Sequence, residues 1–465
     1  MKSPLHVVIL AAGKGTRMNS ALPKVLHPVG GKPMLGHVLD TAAALKADAV
    51  HIVHGHGSKL IRTWFEGRDL GGQTKDPSIV WVLQGPQLGT GHAVQQGMAE
   101  IPDAATVLVL YGDVPLIRAE TLAPAIAAGE KTLALVTATA ANPKGYGRIL
   151  RDKKDAVVGI VEENDASDAE LRITEINTGF LAAPAKKLRG WLGRINNDNA
   201  KKEFYLTDVV ALAVKDGMKV ATVTASEEDT LGVNDRAQLA QLERLFQSRQ
   251  AQLLMQKGLA LRDPARFDLR GTLKFGQDCS ADVGVVMEGD IELGHNVSIG
   301  PYVVLKDVKL GDNTRVESHS VLEGVVTGRD CRIGPFARIR PETRLADEVR
   351  VGNFVEVKKS TLGAESKANH LGYIGDATIG ARVNVGAGVI TVNYDGFNKH
   401  PTLIGDDAFV GSDTQLIAPV KVGARATIGA GSTITKDVPA GGLTICRARD
   451  QRTLPKWTRP SKKKP

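Results

Sequence analysis

Ile404-Gly405-Asp406-Asp407-Ala408-Phe409 leads into Val410-Gly411-Ser412-Asp413-Thr414-Gln415, Leu416-Ile417-Ala418-Pro419-Val420-Lys421, Val422-Gly423-Ala424-Arg425-Ala426-Thr427 and Ile428-Gly429-Ala430-Gly431-Ser432-Thr433. Each hexapeptide opens on an aliphatic residue, and in all but Leu416-Ile417 a glycine follows. The same period runs through Ile291 to Tyr302, Ile333 to Glu356 and Ile379 to Ile390. A hexapeptide repeat is the signature of a parallel β-helix. One aliphatic in six points inward, a small residue helps fill the narrow interior, and glycine is expected to permit the turn at each corner. Three hexapeptides make one triangular coil, so Ile291 to Thr435 accounts for about eight coils, a prism about 40 Å long. The spacing leaves the hand of the helix open.

Two departures from the period stand out. Thr391 to Thr402 is a polar excursion, and Leu362 to Tyr373, carrying His370, is read as a second break. Irregular segments on a rigid scaffold are where function concentrates. Working towards the N-terminus, Asn234 to Lys257 has Leu239, Leu242, Leu245, Phe246, Leu253 and Leu254 at helical spacing, followed by Gly258. This predicts one long amphipathic helix joining two domains. From Leu5 to about Val223, buried-strand patterns such as 6–10 and 106–111 alternate with helical stretches such as 34–45 and 92–99. That alternation predicts an α/β domain with a mostly parallel sheet, whose ligands bind at the carboxyl ends of the strands. The expected division is 1–236, a helical linker over 237–257, and 258–465.

The composition agrees with such a chain. Of 465 residues, 42% are apolar, enough for true cores, while 50 glycines and only 4% aromatics suit a repetitive β architecture. The apolar run Leu5 to Ala12 is too short to span a membrane and lacks a signal peptide's features. Three dispersed cysteines, Cys279, Cys331 and Cys446, support neither a disulfide framework nor a zinc site, so a cytoplasmic protein is expected. The net charge of +8 comes from scattered bases without interleaved aromatics, the Lys462 to Lys464 cluster excepted. It points to small polyanions rather than nucleic acid.

After the first strand comes Leu10-Ala11-Ala12-Gly13-Lys14-Gly15-Thr16-Arg17-Met18, then Leu22-Pro23-Lys24. The string fits neither GxxxxGK[ST] nor GxGxxG. Glycines after a strand nevertheless let backbone N–H groups close around phosphate. Read alone, Asp113 is as much a turn residue as a ligand, and Asn234 stands where a helix cap belongs.

The string resembles the sugar-phosphate nucleotidylyltransferases. So do Gln84-Gly85-Pro86-Gln87-Leu88-Gly89-Thr90-Gly91-His92-Ala93, Tyr111-Gly112-Asp113, Tyr146-Gly147-Arg148-Ile149, Glu162, Ile176-Asn177-Thr178-Gly179 and Gly232-Val233-Asn234, in that family's order. With the hexapeptide half added, nearly the whole chain is similar to the bacterial bifunctional N-acetylglucosamine-1-phosphate uridylyltransferases/glucosamine-1-phosphate acetyltransferases. The segment Gly67 to Ser78 looks longer than usual.

The resemblance implies that Asp113 and Asn234 hold Mg²⁺ and that Arg17 and Lys24 neutralise charge in uridylyl transfer from UTP. It places Leu10, Ala11, Ala12, Gly13, Gln84, Gly89, Thr90, Tyr111 and Gly112 around the nucleotide, and Gly147, Glu162 and Asn177 around the sugar.

Asn369-His370-Leu371-Gly372-Tyr373-Ile374-Gly375-Asp376 and Asn393-Tyr394-Asp395-Gly396 resemble the acetyltransferase half of the same enzymes. Acetyl transfer needs a free amine lone pair, and a histidine, ordinarily titrating near pH 6.5, suits the role of base. The resemblance makes His370 that base. It assigns Arg340, Lys358, Tyr373, Asn384 and Lys399 to glucosamine 1-phosphate, and Ala387, Asn393, Tyr394, Ser412, Ala430 and Arg447 to acetyl-CoA. It further implies a left-handed β-helix and a homotrimer. Gly372 departs from relatives that carry Ser or Thr there. Two alternatives fit parts of the chain: a single-activity nucleotidylyltransferase with a regulatory β-helix, and a non-catalytic relative of exchange-factor subunits. His370 and the Asn393 segment argue against the first, and Arg17, Lys24 and Asp113 together argue against the second.

Overall fold

The computed structural model describes residues 3–55, 57–65 and 77–446. The segment expected to be long, Gly67 to Ser78, lies almost wholly outside the described residues, as do Arg447 and the Lys462 to Lys464 cluster. The chain forms two compact units, 1–246 and 247–465.

In the first unit the main path of the sheet runs Ala221–Ala225, Ala134–Thr139, Glu175–Pro184, Thr106–Tyr111, Leu5–Ala11, Ala49–His54 and Ser78–Leu83. All neighbours are parallel except around Glu175–Pro184, which is antiparallel to both strands beside it. Helices cover both faces, so the strands are apolar on both. Val7, Ile9, Leu108 and Leu110 enter one core with Leu35, Leu39, Leu122 and Ile126. Their neighbours Val8, Val107 and Val109 enter the other with Val94, Leu188, Trp191 and Val209. The helices expected over 34–45 and 92–99 are Met34–Ala44 and Thr90–Gly97. The second starts earlier, with Gly89 in the position before it.

The long helix is Arg236–Gln256. Asn234 does not cap it: Asp235 does, its Oδ1 accepting from Gln238 N–H at 2.9 Å. Residues up to Phe246 pack in the first unit, Leu242 in a small core with Met18, Val29 and Val233. Residues from Gln247 belong to the second, where Ala251 and Leu254 join the β-helix core. The fully buried Gln247 treats Leu269 as a strand neighbour would. Its Oε1 accepts from Leu269 N–H at 2.9 Å and its Nε2 donates to Leu269 C=O at 3.0 Å.

The second unit is a continuous stack of parallel strands. Partners recur 17 or 18 residues apart, so one aliphatic position repeats directly above itself: Ile299, Val316, Ile333, Val351, Ala368, Val385, Val410 and Ile428, all buried. The small interior positions carry a polar atom that bonds a backbone carbonyl. Ser366 Oγ donates to Gly380 C=O at 2.7 Å, and Cys331 Sγ donates to Ala346 C=O at 3.1 Å.

Pairing begins at Ala260–Leu261, ahead of the regular hexapeptides, and the first coils use longer strands such as Asp268–Phe275. Two sequence expectations need correction. The repeat glycine is not what turns the corner. At one corner the left-handed positions belong to Asn296, Asn313, Asp330, Glu348 and Glu365, with φ between 54° and 62°, and at another to Tyr302, His319, Phe336, Phe354 and Leu371. Glycine is required by the approach of the next coil: a Cβ on Gly311 would lie 2.4 Å from Gly328 O. Finally, Leu362 to Tyr373 is no break. Lys367–Gly375 is a regular nine-residue strand in register with Arg350–Lys358. Ala368 fills the interior position, and the left-handed Leu371 makes the corner. The excursion from Thr391 is real, since the partner spacing across it widens to 25.

Candidate active sites

The first strand ends at Ala11 and the fourth in sheet order at Tyr111, side by side, Leu10 opposite Tyr111. The loops that follow carry the chemistry. Leu10, Ala11, Ala12, Gly13, Lys24, Gln84, Gly89, Thr90, Tyr111 and Asp113 line a cavity of about 340 Å³. Gly147, Glu162 and Asn177 line a second of about 240 Å³. Thr90 and Tyr111 border both, so the two cavities form one cleft.

Lys24 lies at the centre of the charge arrangement. Its Nζ is 2.5 Å from Asp113 Oδ2, and it donates to Asn234 Oδ1 at 3.0 Å. Two side-chain oxygens separated by about half of the unit's sequence thus converge on one ammonium. Because Asp235 caps the helix, the Asn234 side chain is free of capping duty. Gly15 makes room for Lys24: it has φ 58°, and a Cβ there would lie 2.7 Å from Lys24 Cβ. Arg17 is exposed in the one-turn helix Thr16–Met18 and lines neither cavity, nor does Gly112.

Gln84 is buried, its Nε2 donating to Gly89 C=O at 3.2 Å and lying 3.1 Å from His92 Nδ1. Burial pushes the Tyr111 phenol far up, helped by Glu162 and Asp113, so it stays neutral. Burial likewise raises the Glu162 carboxyl, opposed by a hydrogen bond from Thr207 and by Lys201. Gln87, Glu203 and Thr207 also line the cleft. Sequence reasoning did not single them out, although Gln87 lies inside a segment chosen for its motif.

In the second unit His370 is exposed on the strand Lys367–Gly375, opposite Asn353 one coil earlier. Its Nδ1 is 3.2 Å from Asn353 Oδ1. Asn353 was missed, yet the 17-residue coil spacing that links it to His370 was the available signal. Tyr373 follows on the same strand. Its hydroxyl is 3.5 Å from Asn393 Nδ2, which donates to Asp376 Oδ2 at 2.5 Å.

The Lys399 ammonium is adjacent to that of Lys358, and this like charge depresses its pKa. Arg340 Nη1 donates to Glu356 Oε1 at 2.8 Å. The excursion is braced by Asp395, whose carboxylate accepts from Phe397 N–H, Asn398 N–H and His400 Nε2, bonds that hold it well below the usual carboxylate range. Tyr394 is exposed.

Ala387, Ser412 and Ala430 occupy one corner on successive coils: Asp413 N–H donates to Ala387 C=O, and Gly431 N–H to Ser412 C=O. Asn384 stands between Lys367 and Phe409 in register, one strand before that corner.

Comparison with known proteins covers both units. The family model of the MobA-like NTP transferase domain matches residues 7–169. The GMPPB C-terminal domain matches 270–368, and the bacterial transferase hexapeptide (six repeats) matches 401–436. Among curated proteins, the "Bifunctional protein GlmU" of Alkalilimnicola ehrlichii is 56% identical, spanning 100% of this chain and 98% of that one. The proteins of the same name from Nitrosospira multiformis and Aromatoleum aromaticum are 53% and 54% identical, each match covering 99% of both chains. With identity at this level along its whole length, in both the nucleotidyltransferase and the hexapeptide halves, the chain belongs to the bifunctional GlmU family.

Proposed function

We infer that the protein acetylates glucosamine 1-phosphate with acetyl-CoA and then transfers UMP from UTP to the resulting N-acetylglucosamine 1-phosphate, giving UDP-N-acetylglucosamine and pyrophosphate. The observation that carries this reading is the cleft itself: a cavity edged by glycines, Lys24 and Asp113 opens past Thr90 and Tyr111 into one edged by Glu162 and Asn177.

In the uridylyl step the sugar phosphate oxygen attacks the α-phosphorus in line, and positioning with charge neutralisation does most of the work. Asp113 and Asn234 offer hard oxygen ligands that already meet around one ammonium, a donor set suited to Mg²⁺. When bound there, the metal supplies positive charge to the phosphate oxygens. Lys24, released from Asp113, turns its charge to the phosphates, and Arg17 closes from the rim. Gln84, its amide nitrogen already engaged, leaves its carbonyl oxygen to the uracil N–H. Gly147, Glu162 and Asn177 receive the sugar.

In the acetyl step Asn353 Oδ1 accepts from Nδ1–H of His370, leaving Nε2 to take the amine proton. The amine nitrogen bonds to the thioester carbonyl carbon, the C–S bond breaks, and the proton leaves with the thiolate of coenzyme A. Lys358 and Lys399, forced together, gain a counterion when the sugar phosphate binds between them. Arg340 and Tyr373 adjoin that anion, with Asn384 completing the subsite. Ala387, Asn393, Tyr394, Ser412 and Ala430 face acetyl-CoA, with Arg447 beyond the described residues. No helix among the described residues is long and apolar enough to cross a membrane. A cytoplasmic homotrimer is the expected working form, the flat faces of the prism being suited to cyclic packing.

The test supplies glucosamine 1-phosphate, UTP and Mg²⁺ with and without acetyl-CoA, and follows UDP-sugar by chromatography. Product only with acetyl-CoA is expected. Product from supplied N-acetylglucosamine 1-phosphate but none from glucosamine 1-phosphate with acetyl-CoA would refute the acetyl-transfer half.

A further inference from the structure

Thr207 occupies the position before the helix Asp208–Lys215. Its backbone is already helical, φ −62° and ψ −23°, and its hydroxyl makes no bond to the first turn, whereas a threonine that caps a helix is extended. The hydroxyl turns away from its own helix and donates to Glu162 Oε1 at 3.0 Å, across the wall of the sugar cavity that both residues line.

We propose that Thr207 is a positioning residue: its hydroxyl orients the Glu162 carboxylate so that this group accepts hydrogen bonds from hydroxyls of the bound sugar. The proposal rests on the assignment of Glu162 to the sugar.

The backbone that carries Thr207 is itself fixed by the nucleotide side of the cleft. Phe204 N–H donates to Leu88 C=O and Gly91 N–H to Phe204 C=O, both at 2.8 Å, while Leu206 N–H donates to Thr90 Oγ1 at 3.1 Å. The hydroxyl is thereby held in place from outside the sugar cavity.

The groups that face Glu162 show why a neutral donor matters. Asp165, Asp208, Tyr205 and Tyr111 surround it, and Lys201, an exposed side chain, is the cation among the groups acting on it. Burial and the Asp165 charge favour the protonated acid, while the Thr207 hydrogen bond favours the carboxylate. Once protonated, the acid loses an acceptor for sugar hydroxyls. Removing the hydroxyl therefore raises the carboxyl pKa further, and the penalty grows as pH falls.

The experiment compares the full-length protein with Thr207→Val, Thr207→Ser and Glu162→Gln, measuring initial rates against N-acetylglucosamine 1-phosphate at saturating UTP and Mg²⁺ from about pH 6 to about pH 9. Thr207→Val is expected to raise KM about tenfold near neutral pH with kcat nearly unchanged. The deficit should widen towards the acid end and close towards the alkaline end, and Thr207→Ser should restore wild-type behaviour. A wild-type KM for Thr207→Val throughout, or a loss equal at every pH and not rescued by serine, overturns the proposal. Glu162→Gln separates the two levels. If it leaves KM unchanged, the assignment of Glu162 to the sugar fails; if it raises KM while Thr207→Val does not, only the positioning role fails.

Discussion

His51 makes the first unit sensitive to acid by an amount that can be worked out in advance. Only 2% of it is exposed, its Nδ1 has no partner, and its Nε2 lies 3.0 Å from His6 Nδ1. Burial, with His6 next to it, lowers its pKa to about 4. The folded state therefore holds it neutral, whereas the unfolded chain protonates it near pH 6.5. Stability from this group is fully present above pH 6.5, falls as the unfolded chain gains its proton, and is wholly lost below about pH 4. Between neutrality and pH 5 the loss is about 2 kcal/mol, roughly 1.5 units at about 1.4 kcal/mol each. Urea unfolding followed by tryptophan fluorescence reports on the right unit once Trp457 is replaced by phenylalanine, because the other three of the four tryptophans, Trp64, Trp81 and Trp191, all lie in it. His51→Leu should remove about that much of the difference between the two pH values. Parallel curves for wild type and variant would refute the argument and move the acid sensitivity to His6, His27, His37 and His54, which are also lowered.

Lys24→Met should reduce uridylyl transfer at least about 100-fold. It should also tighten Mn²⁺ binding to the nucleotide-free protein about tenfold in an EPR titration, because no ammonium then has to leave Asp113 and Asn234. Unchanged metal affinity would mean that the two do not compete. Asn353→Ala should lower acetyl transfer about tenfold by freeing the His370 ring, and His370→Ala should lower it by at least about 100-fold, both with uridylyl transfer intact. Of the three cysteines, Cys446 alone is exposed, Cys279 and Cys331 are buried, and burial pushes the Cys331 thiol up to about 11. A thiol reagent should therefore titrate one group in the native protein and three in denaturant.

The β-helix was legible because its period is local. An aliphatic every six residues fixes the interior, and coils of 17 or 18 residues fix who lies above whom. The same arithmetic pairs Asn353 with His370. Leu362 to Tyr373 misled because Ala368 is a weak interior signal and the polar Asn369 and His370 read as loop. The role of glycine was misjudged for a related reason: a hexapeptide viewed alone shows its turn, not the backbone of the next coil. The nucleotide cleft was legible as motifs but not as contacts. Lys24 and Asn234 are 210 residues apart and meet only because the sheet orders its strands out of sequence. The cap reading of Asn234 gave way to Asp235, a shift of one residue that propensity cannot resolve. Thr207 carried no signal at all, since a threonine before a helix ordinarily needs no further explanation.

A stack of parallel strands has no intrinsic last member. Its terminal rung exposes unpaired N–H and C=O groups and invites a second chain to continue the ladder. At the leading end Gln247 takes both backbone groups of Leu269, and Gln250 Nε2 donates to the same carbonyl at 3.0 Å. A side-chain amide has one donor face and one acceptor face but no successor, so it imitates the next strand without offering another. The helix that joins the units is in this sense a terminator. At Leu269 the ladder ends on two glutamine side chains instead of a further strand.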